Sequence, residues 1–265
     1  MTSGRPALAG LTVLVPRARE QAGELSALLR ARGAEALEVP TIEIRPLAST
    51  AELDRSIEDL AAGRFHWLVL TSVNGVTALR ARVDALGLDP LPKVGVAAVG
   101  PATEAALRDW GVVPDLVADP ATTAALGQAF PTPDGSGEVL LARADLANPE
   151  LGVALRAKGW RTTEVVAYHT VPMGAFDPAA RRRLDGGEVD WVAFTASSTV
   201  EGFLRGYGGP PPPGVRVAAI GPVTADAARS AGMRVAATAA EHTIPGLVAA
   251  IEHAVTDRPG PGGVG

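Results

Sequence analysis

The stretch VAAVGPAT at residues 96–103 decides the fold, because it recurs as VAAIGPVT at residues 217–224. The offset is 121 residues in a chain of 265. Three other blocks repeat in the same order along the chain at offsets of 124 or 126: VLVPRA at 13–18 with VLLARA at 139–144, ARG at 31–33 with AKG at 157–159, and WLVLT at 67–71 with WVAFT at 191–195. Such a series indicates duplication of a whole domain. We therefore expect two similar units with a ligand-binding cleft between them.

Apolar runs and helical spacing alternate along the whole chain. Residues 11–16 predict a strand, Leu25, Leu28 and Leu29 follow with helical spacing, and a stop at Gly33 precedes a second strand. Apolar strands that do not alternate with polar residues, separated by amphipathic helices, are typical of parallel sheets covered on both faces. The sequence predicts two doubly wound α/β domains.

Composition excludes several classes of protein. The chain has no Cys, which excludes disulfides, thiolate nucleophiles and Cys-based zinc sites. No apolar run approaches the ~20 residues that span a bilayer, and the first ten residues lack a signal-peptide core. The net charge of -5 and a single basic run, at 181–183, argue against nucleic-acid binding. We expect a cytoplasmic enzyme or binding protein.

The candidate binding residues follow predicted strands, where doubly wound sheets bind ligands. In both Gly-Pro-x-Thr turns we expect the glycine to allow a sharp turn and the helix N-terminus to face an anion. Helix capping explains the polar residues equally well, and ion pairing is an alternative for the arginines. The candidates are Arg17, Ser72, Asn74, Thr103, Arg143, Ser197, Ser198 and Thr224.

Tyr168 is one of only two tyrosines, and its repeat counterpart is Ile42. A phenol in a connector between two domains is placed to donate a proton, although packing in a core is the alternative interpretation. The four histidines show no metal-ligand spacing, and no dinucleotide or phosphate loop is present. The sequence therefore predicts neither a metal nor a cofactor.

Seven motifs together resemble the uroporphyrinogen-III synthase family over nearly the whole chain. They are VLVPR at 13–17, VPTI at 39–42, LTSVN at 70–74, AVGPAT at 98–103, VVAYHT at 165–170, FTASSTV at 194–200 and AIGPVT at 219–224. His169 stands where close relatives often carry Arg, and Ala196 replaces a common Ser.

The resemblance implies interleaved domains rather than tandem ones. Residues 1–40 and 172–256 would form one domain and 47–164 the other, with 41–46 and 165–171 as a two-stranded link that permits hinge closure. Residues 257–265 would be a disordered tail. Sequence spacing alone equally allows tandem halves.

The resemblance also implies a reaction: hydroxymethylbilane closes to uroporphyrinogen III with loss of water and inversion of ring D, catalysed by a cyclising hydro-lyase without a cofactor. Tyr168 would be the general acid, and the eight candidates named above would bind the substrate. The enzyme would be a monomer in transient contact with hydroxymethylbilane synthase. The alternatives are a non-catalytic two-domain receptor for a carboxylated small molecule and, less favoured, an α/β transferase for a phosphorylated substrate.

Overall fold

The structure is a computed structural model that describes residues 6–88, 91 and 93–256. The predicted disordered tail, 257–265, lies outside the described residues. None of the helices in the described ranges is long and apolar enough to cross a membrane. The chain divides into two compact units: one holds the described residues up to Glu43 and from Val171 onward, and the other is Ile44–Thr170.

Strands and helices alternate as predicted, except that β3 follows β2 directly and that helix α2 was not among the predicted elements. In chain order they are β1 (Thr12–Val15), α1 (Arg19–Ala31), β2 (Glu35–Glu38), β3 (Ile42–Arg45), α2 (Ala51–Ala61), β4 (Trp67–Leu70), α3 (Val73–Ala85), β5 (Gly95–Ala98), α4 (Pro101–Asp109), β6 (Leu116–Val117), α5 (Thr123–Ala129), β7 (Glu138–Ala144), α6 (Glu150–Ala157), β8 (Arg161–Pro172), α7 (Pro178–Asp185), β9 (Trp191–Phe194), α8 (Ser197–Tyr207), β10 (Arg216–Ala219), α9 (Pro222–Ser230), β11 (Val235–Thr238) and α10 (Ile244–Thr256).

Each unit contains one sheet. The sheet of the first unit has the order β11-β10-β9-β1-β2, and all its pairings are parallel. The other sheet has the order β3-β8-β7-β4-β5-β6, with parallel pairings from β8 through β6. The repeated blocks occupy matching places, since β10-β9-β1 in one sheet corresponds to β5-β4-β7 in the other. The predicted fold class is confirmed.

Helices cover both faces of each sheet. In β1, Val13 and Val15 pack into one apolar cluster while Leu14 packs into another. In β4, Leu68 and Val69 likewise belong to two different clusters. Neighbouring residues of a strand point to opposite faces, so each unit buries apolar side chains above and below its sheet.

A β-bulge interrupts the pairing of β7 with β8. Arg143 is opposite Val166 and Ala144 is opposite Tyr168, which leaves Ala167 as an extra residue. Ala167 and Tyr168 consequently pack into the same apolar cluster, although neighbours in a regular strand face opposite ways. The bulge therefore determines which way the side chain of Tyr168 faces.

Candidate functional site

The phenol of Tyr168 lies among polar side chains in the second unit. Tyr168 is 6% exposed, and its hydroxyl is 2.9 Å from the hydroxyl of Ser72. The side chain of Asn74 also forms a hydrogen bond with it. Strand β7 separates β8, which carries Tyr168, from β4, which precedes Ser72 and Asn74. The fold thus brings together three residues that the sequence predicted separately.

Burial raises the pKa of the Tyr168 phenol. The hydrogen bonds from Ser72 and Asn74 act in the opposite direction, and the negative charge of Asp145 raises the pKa further. The net effect keeps the phenol protonated throughout the neutral range. A protonated phenol can donate a proton to a leaving group.

Ser72 has a second contact that explains its position. It is the N-cap of α3, and its Oγ accepts a hydrogen bond from the N–H of Gly75 at 3.1 Å. The capping interpretation is therefore confirmed for this residue, and it is compatible with the functional one, which stays a prediction. The cap fixes the hydroxyl in place for its contact with Tyr168.

Arg143 lies at the end of β7, where the sequence predicted it, but it is engaged within its own unit. Its guanidinium forms an ion pair with Glu164 and donates a hydrogen bond to the carbonyl oxygen of Asn148 at 2.7 Å. Glu164 also accepts a hydrogen bond from Arg156. The structural ion pair considered for Arg143 is thus present.

Thr103 is in the first turn of α4 and is 3% exposed. Within the described ranges its hydroxyl has no hydrogen-bond partner. The preceding Gly100 has φ 83° and ψ 171°, and a Cβ there would lie 2.5 Å from the Cβ of Ala121. Here the expectation of a sharp glycine turn agrees with the backbone.

The corresponding turn in the first unit differs, and the expectation of an equivalent glycine turn was wrong. Gly221 has φ −175°, an extended conformation open to any residue. What favours glycine is the ring of His242, because a Cβ would lie 3.1 Å from it. Thr224, in the first turn of α9, is 5% exposed, and no described residue forms a hydrogen bond with its hydroxyl.

Ser197 and Ser198 are the first two residues of α8 and do not cap it. Thr199 closes this helix end: its hydroxyl donates to the carbonyl oxygen of Ala196 at 2.6 Å and accepts from the N–H of Ala196 at 3.3 Å. Neither serine hydroxyl has a partner in the described part of the chain. Both are partly exposed at the end of β9.

Arg17 follows β1 in the first unit and is partly buried. Burial lowers the pKa of its guanidinium, whereas the charge of Glu24 raises it. Its side chain forms no hydrogen bond or ion pair with any described residue. A partly buried cation of this kind can bind an anion.

Sequence reasoning missed Asp145, which follows β7 directly. Its Oδ2 is 2.8 Å from Nδ1 of His169, and its Oδ1 accepts hydrogen bonds from the N–H groups of Thr170 and Leu146 at 3.1 and 3.0 Å. An acidic residue at the carboxyl end of a strand was the available signal. As for metal ligands, the described residues contain no group of three or more His, Cys, Asp or Glu suited to an ion.

Comparison with known proteins gives a consistent result. The chain is 32% identical to a uroporphyrinogen-III synthase of Synechococcus elongatus over 92% of its own length and 96% of that protein. It is 29% identical to a porphyrin biosynthesis protein HemD of Ruminiclostridium josui, of which it spans only 45%.

Solved structures agree with these relatives. A crystal structure of a mutant uroporphyrinogen III synthase from Thermus thermophilus matches 94% of the chain with a TM-score of 0.68 and 26% identity, and all of that structure is covered. A Helicobacter pylori structure with 16% identity and a TM-score of 0.56 shows the shared fold alone. Residues 23–249 match the family described as uroporphyrinogen-III synthase HemD, and the chain belongs to that family.

Proposed function

We propose that this chain closes hydroxymethylbilane to uroporphyrinogen III, with loss of water and inversion of ring D, as a cyclising lyase. One observation carries the chemical part of the proposal: a buried, protonated phenol is held by two neutral partners, Ser72 and Asn74. The family supplies the identity of the reaction. The chain's own residues supply a proton donor of fixed position.

The proposed step begins at the terminal hydroxyl of ring A. Tyr168 donates its proton as the carbon–oxygen bond breaks, and the oxygen leaves as water. The remaining electron-poor carbon is attacked by the substituted carbon of ring D, which forms a spirocyclic intermediate before the macrocycle closes. The proton that ring D loses in the overall reaction restores the phenol.

The second task is to hold a flexible substrate that also cyclises unaided to the symmetric isomer. Fixing the two chain ends converts an undirected closure into an oriented one. The substrate carries acetate and propionate groups on every ring. We assign these carboxylates to the partly buried guanidinium and to the hydroxyl groups that have no hydrogen-bond partner among the described residues: Arg17, Thr103, Thr224, Ser197 and Ser198.

Arg143 has a weaker claim to a substrate carboxylate. Its ion pair with Glu164 must open, or the substrate must share the guanidinium, before it binds an external anion. Its proposed part is therefore to hold the end of β7 near Asn148, with substrate binding as a secondary role.

We place this enzyme in the cytoplasm as a monomer that takes a short-lived bilane from hydroxymethylbilane synthase. A transient contact between the two enzymes would limit spontaneous closure in solution.

The deciding experiment supplies freshly made hydroxymethylbilane and separates the two uroporphyrin isomers after oxidation. We expect isomer III to form in excess and faster than the spontaneous product. A non-catalytic receptor for a carboxylated molecule would leave the mixture and its rate of formation unchanged, and that result would overturn the proposal.

A further inference from the structure

Asp145 contacts β8 at three consecutive residues around the phenol. Its backbone N–H donates to the carbonyl oxygen of Tyr168 at 3.3 Å. Its carboxylate lies 2.8 Å from the ring of His169 and accepts the N–H of Thr170 at 3.1 Å. One residue thus holds Tyr168 and the two residues that follow it.

This contact lies where the pairing of β8 with β7 ends, while the opposite edge of β8 is bonded to β3. Strand β7 ends at Ala144, whereas β8 continues to Pro172. The bulge at Ala167 has already disturbed the ladder by one residue. Along the edge that faces β7, backbone N–H groups beyond the last strand pair need another acceptor to keep one geometry. Asp145 is the acceptor for the N–H of Thr170 at this end.

The carboxylate of Asp145 is ionised at neutral pH. Burial raises its pKa, but the hydrogen bond from His169, the N–H groups of Thr170 and Leu146, and the charge of His169 together lower it below the ordinary value. An ionised acceptor forms stronger hydrogen bonds than a neutral one. The ionised carboxylate therefore holds this strand end in one geometry more firmly than a neutral acceptor would.

We propose that Asp145 is a positioning residue for Tyr168: it holds β8 after the bulge so that the phenol meets Ser72 and Asn74 in one geometry. This inference rests on the proposed function, in which Tyr168 donates a proton. Asp145 does not itself touch the reacting atoms.

The test uses Asp145→Ala and Asp145→Asn in the full chain, with and without Tyr168→Phe. Because a displacement of about 1 Å can cost 10²-fold in rate, we expect Asp145→Ala to lower kcat by about 10- to 100-fold with KM little changed. Asp145→Asn keeps an oxygen for the Thr170 N–H and should lose about 3- to 10-fold. In the Tyr168→Phe background each change should cost less than about twofold, since no proton donor remains to be positioned.

Asp115→Asn is the matched control. Asp115 accepts the N–H of Val96 at 2.8 Å in the same unit, next to the start of β6. It forms the same kind of carboxylate-to-backbone bond away from Tyr168, so this variant should keep the wild-type kcat.

Equal losses of kcat with and without the phenol would reduce Asp145 to a structural role and overturn the inference. Wild-type kcat in the folded Asp145→Asn variant would do the same. If Asp145→Ala does not fold, the Asn variant decides by the same criterion. Failure of the proposed function would be distinguishable from failure of this inference, because the wild-type chain would then form only the spontaneous isomer mixture.

Discussion

Tyr168 contacts two neutral hydrogen-bond partners, with no cation among the groups that shift its pKa. A lysine or arginine beside the phenol would favour phenolate and lower the pKa, which would turn a proton donor into an acceptor. Ser72 and Asn74 orient the hydroxyl without this penalty. The choice of partners is therefore consistent with general-acid work on a leaving hydroxyl.

We expect Tyr168→Phe to lower kcat by about 10²-fold, the lower end of the range for a lost proton donor. The residual activity reflects a substrate that closes unaided and is still held correctly. Rates of isomer III formation measure the effect, with Tyr207→Phe as the control because the Tyr207 phenol contacts Asp185 and lies in the first unit. A full wild-type rate for Tyr168→Phe would remove the phenol from the mechanism.

Tyr207→Phe also leaves a single tyrosine, which makes the Tyr168 pKa measurable by tyrosinate absorbance. In that background Ser72→Ala should raise the pKa, because a hydrogen bond that stabilises phenolate is lost, whereas Asp145→Asn should lower it by removing a negative charge. Since the folded pKa exceeds the ordinary value of about 10, the stability linked to this group is present below pH 10 and declines as pH rises through the folded pKa. Shifts of the same sign in both variants would contradict this assignment of charges.

The starts of α3 and α8 show how the same repeated position is stabilised differently. Ser72 caps α3 directly, whereas α8 has Ala196 at this position and relies on Thr199 two residues beyond Ser197. The N-terminal serines of α8 are thereby released from capping. Both repeats therefore keep a closed helix start, but in α8 the hydroxyls of Ser197 and Ser198 do not take part in it.

We therefore expect serine-to-alanine changes at the two helix starts to affect different properties: stability at α3 and substrate binding at α8. Ser72→Ala is expected to lower the free energy of unfolding by about 1 kcal/mol through loss of the cap, and Ser198→Ala by less than about 0.5 kcal/mol. Urea unfolding measures both changes. For Ser198→Ala we expect a higher KM at unchanged stability, and an unchanged KM would withdraw Ser198 from the binding residues.

The two glycine turns before α4 and α9 differ in backbone strain. At Gly100 a side chain meets both a left-handed φ and the Cβ of Ala121, so Gly100→Ala should cost about 2–3 kcal/mol or more. Gly221→Ala faces only a movable His242 ring at an extended φ and should cost less than about 1 kcal/mol. Denaturant midpoints compare the pair directly. Equal costs would show that the turns are conformationally alike after all.

The repeated blocks predicted the two sheets well, because an apolar strand buried on both faces leaves a signal that survives duplication. Each compact unit takes strands from both halves of the sequence. The sequences of β1 and β7 do not indicate which of the two sheets each strand joins. The bulge at Ala167 left no signal either, since residues 165–170 suggest an ordinary extended segment. Asp145 did leave a signal, as an acidic residue directly after β7, but its contacts with β8 depend on the bulge and could not be predicted.

A chain with net charge -5 that binds a polyacid should show a distinctive response to salt. Many described arginines already pair within the chain, among them Arg82 with Asp54 and Arg183 with Glu35. Long-range attraction should therefore be weak, and the contacts that we propose come from hydroxyls, helix N-termini and Arg17 at short range. Because the Debye length shortens from roughly 14 Å to 4 Å between about 0.05 and 0.5 M salt, we expect KM for the bilane to change less than about twofold. A rise of tenfold or more would mean that a cluster of exposed cations binds the carboxylates, contrary to the residues assigned here.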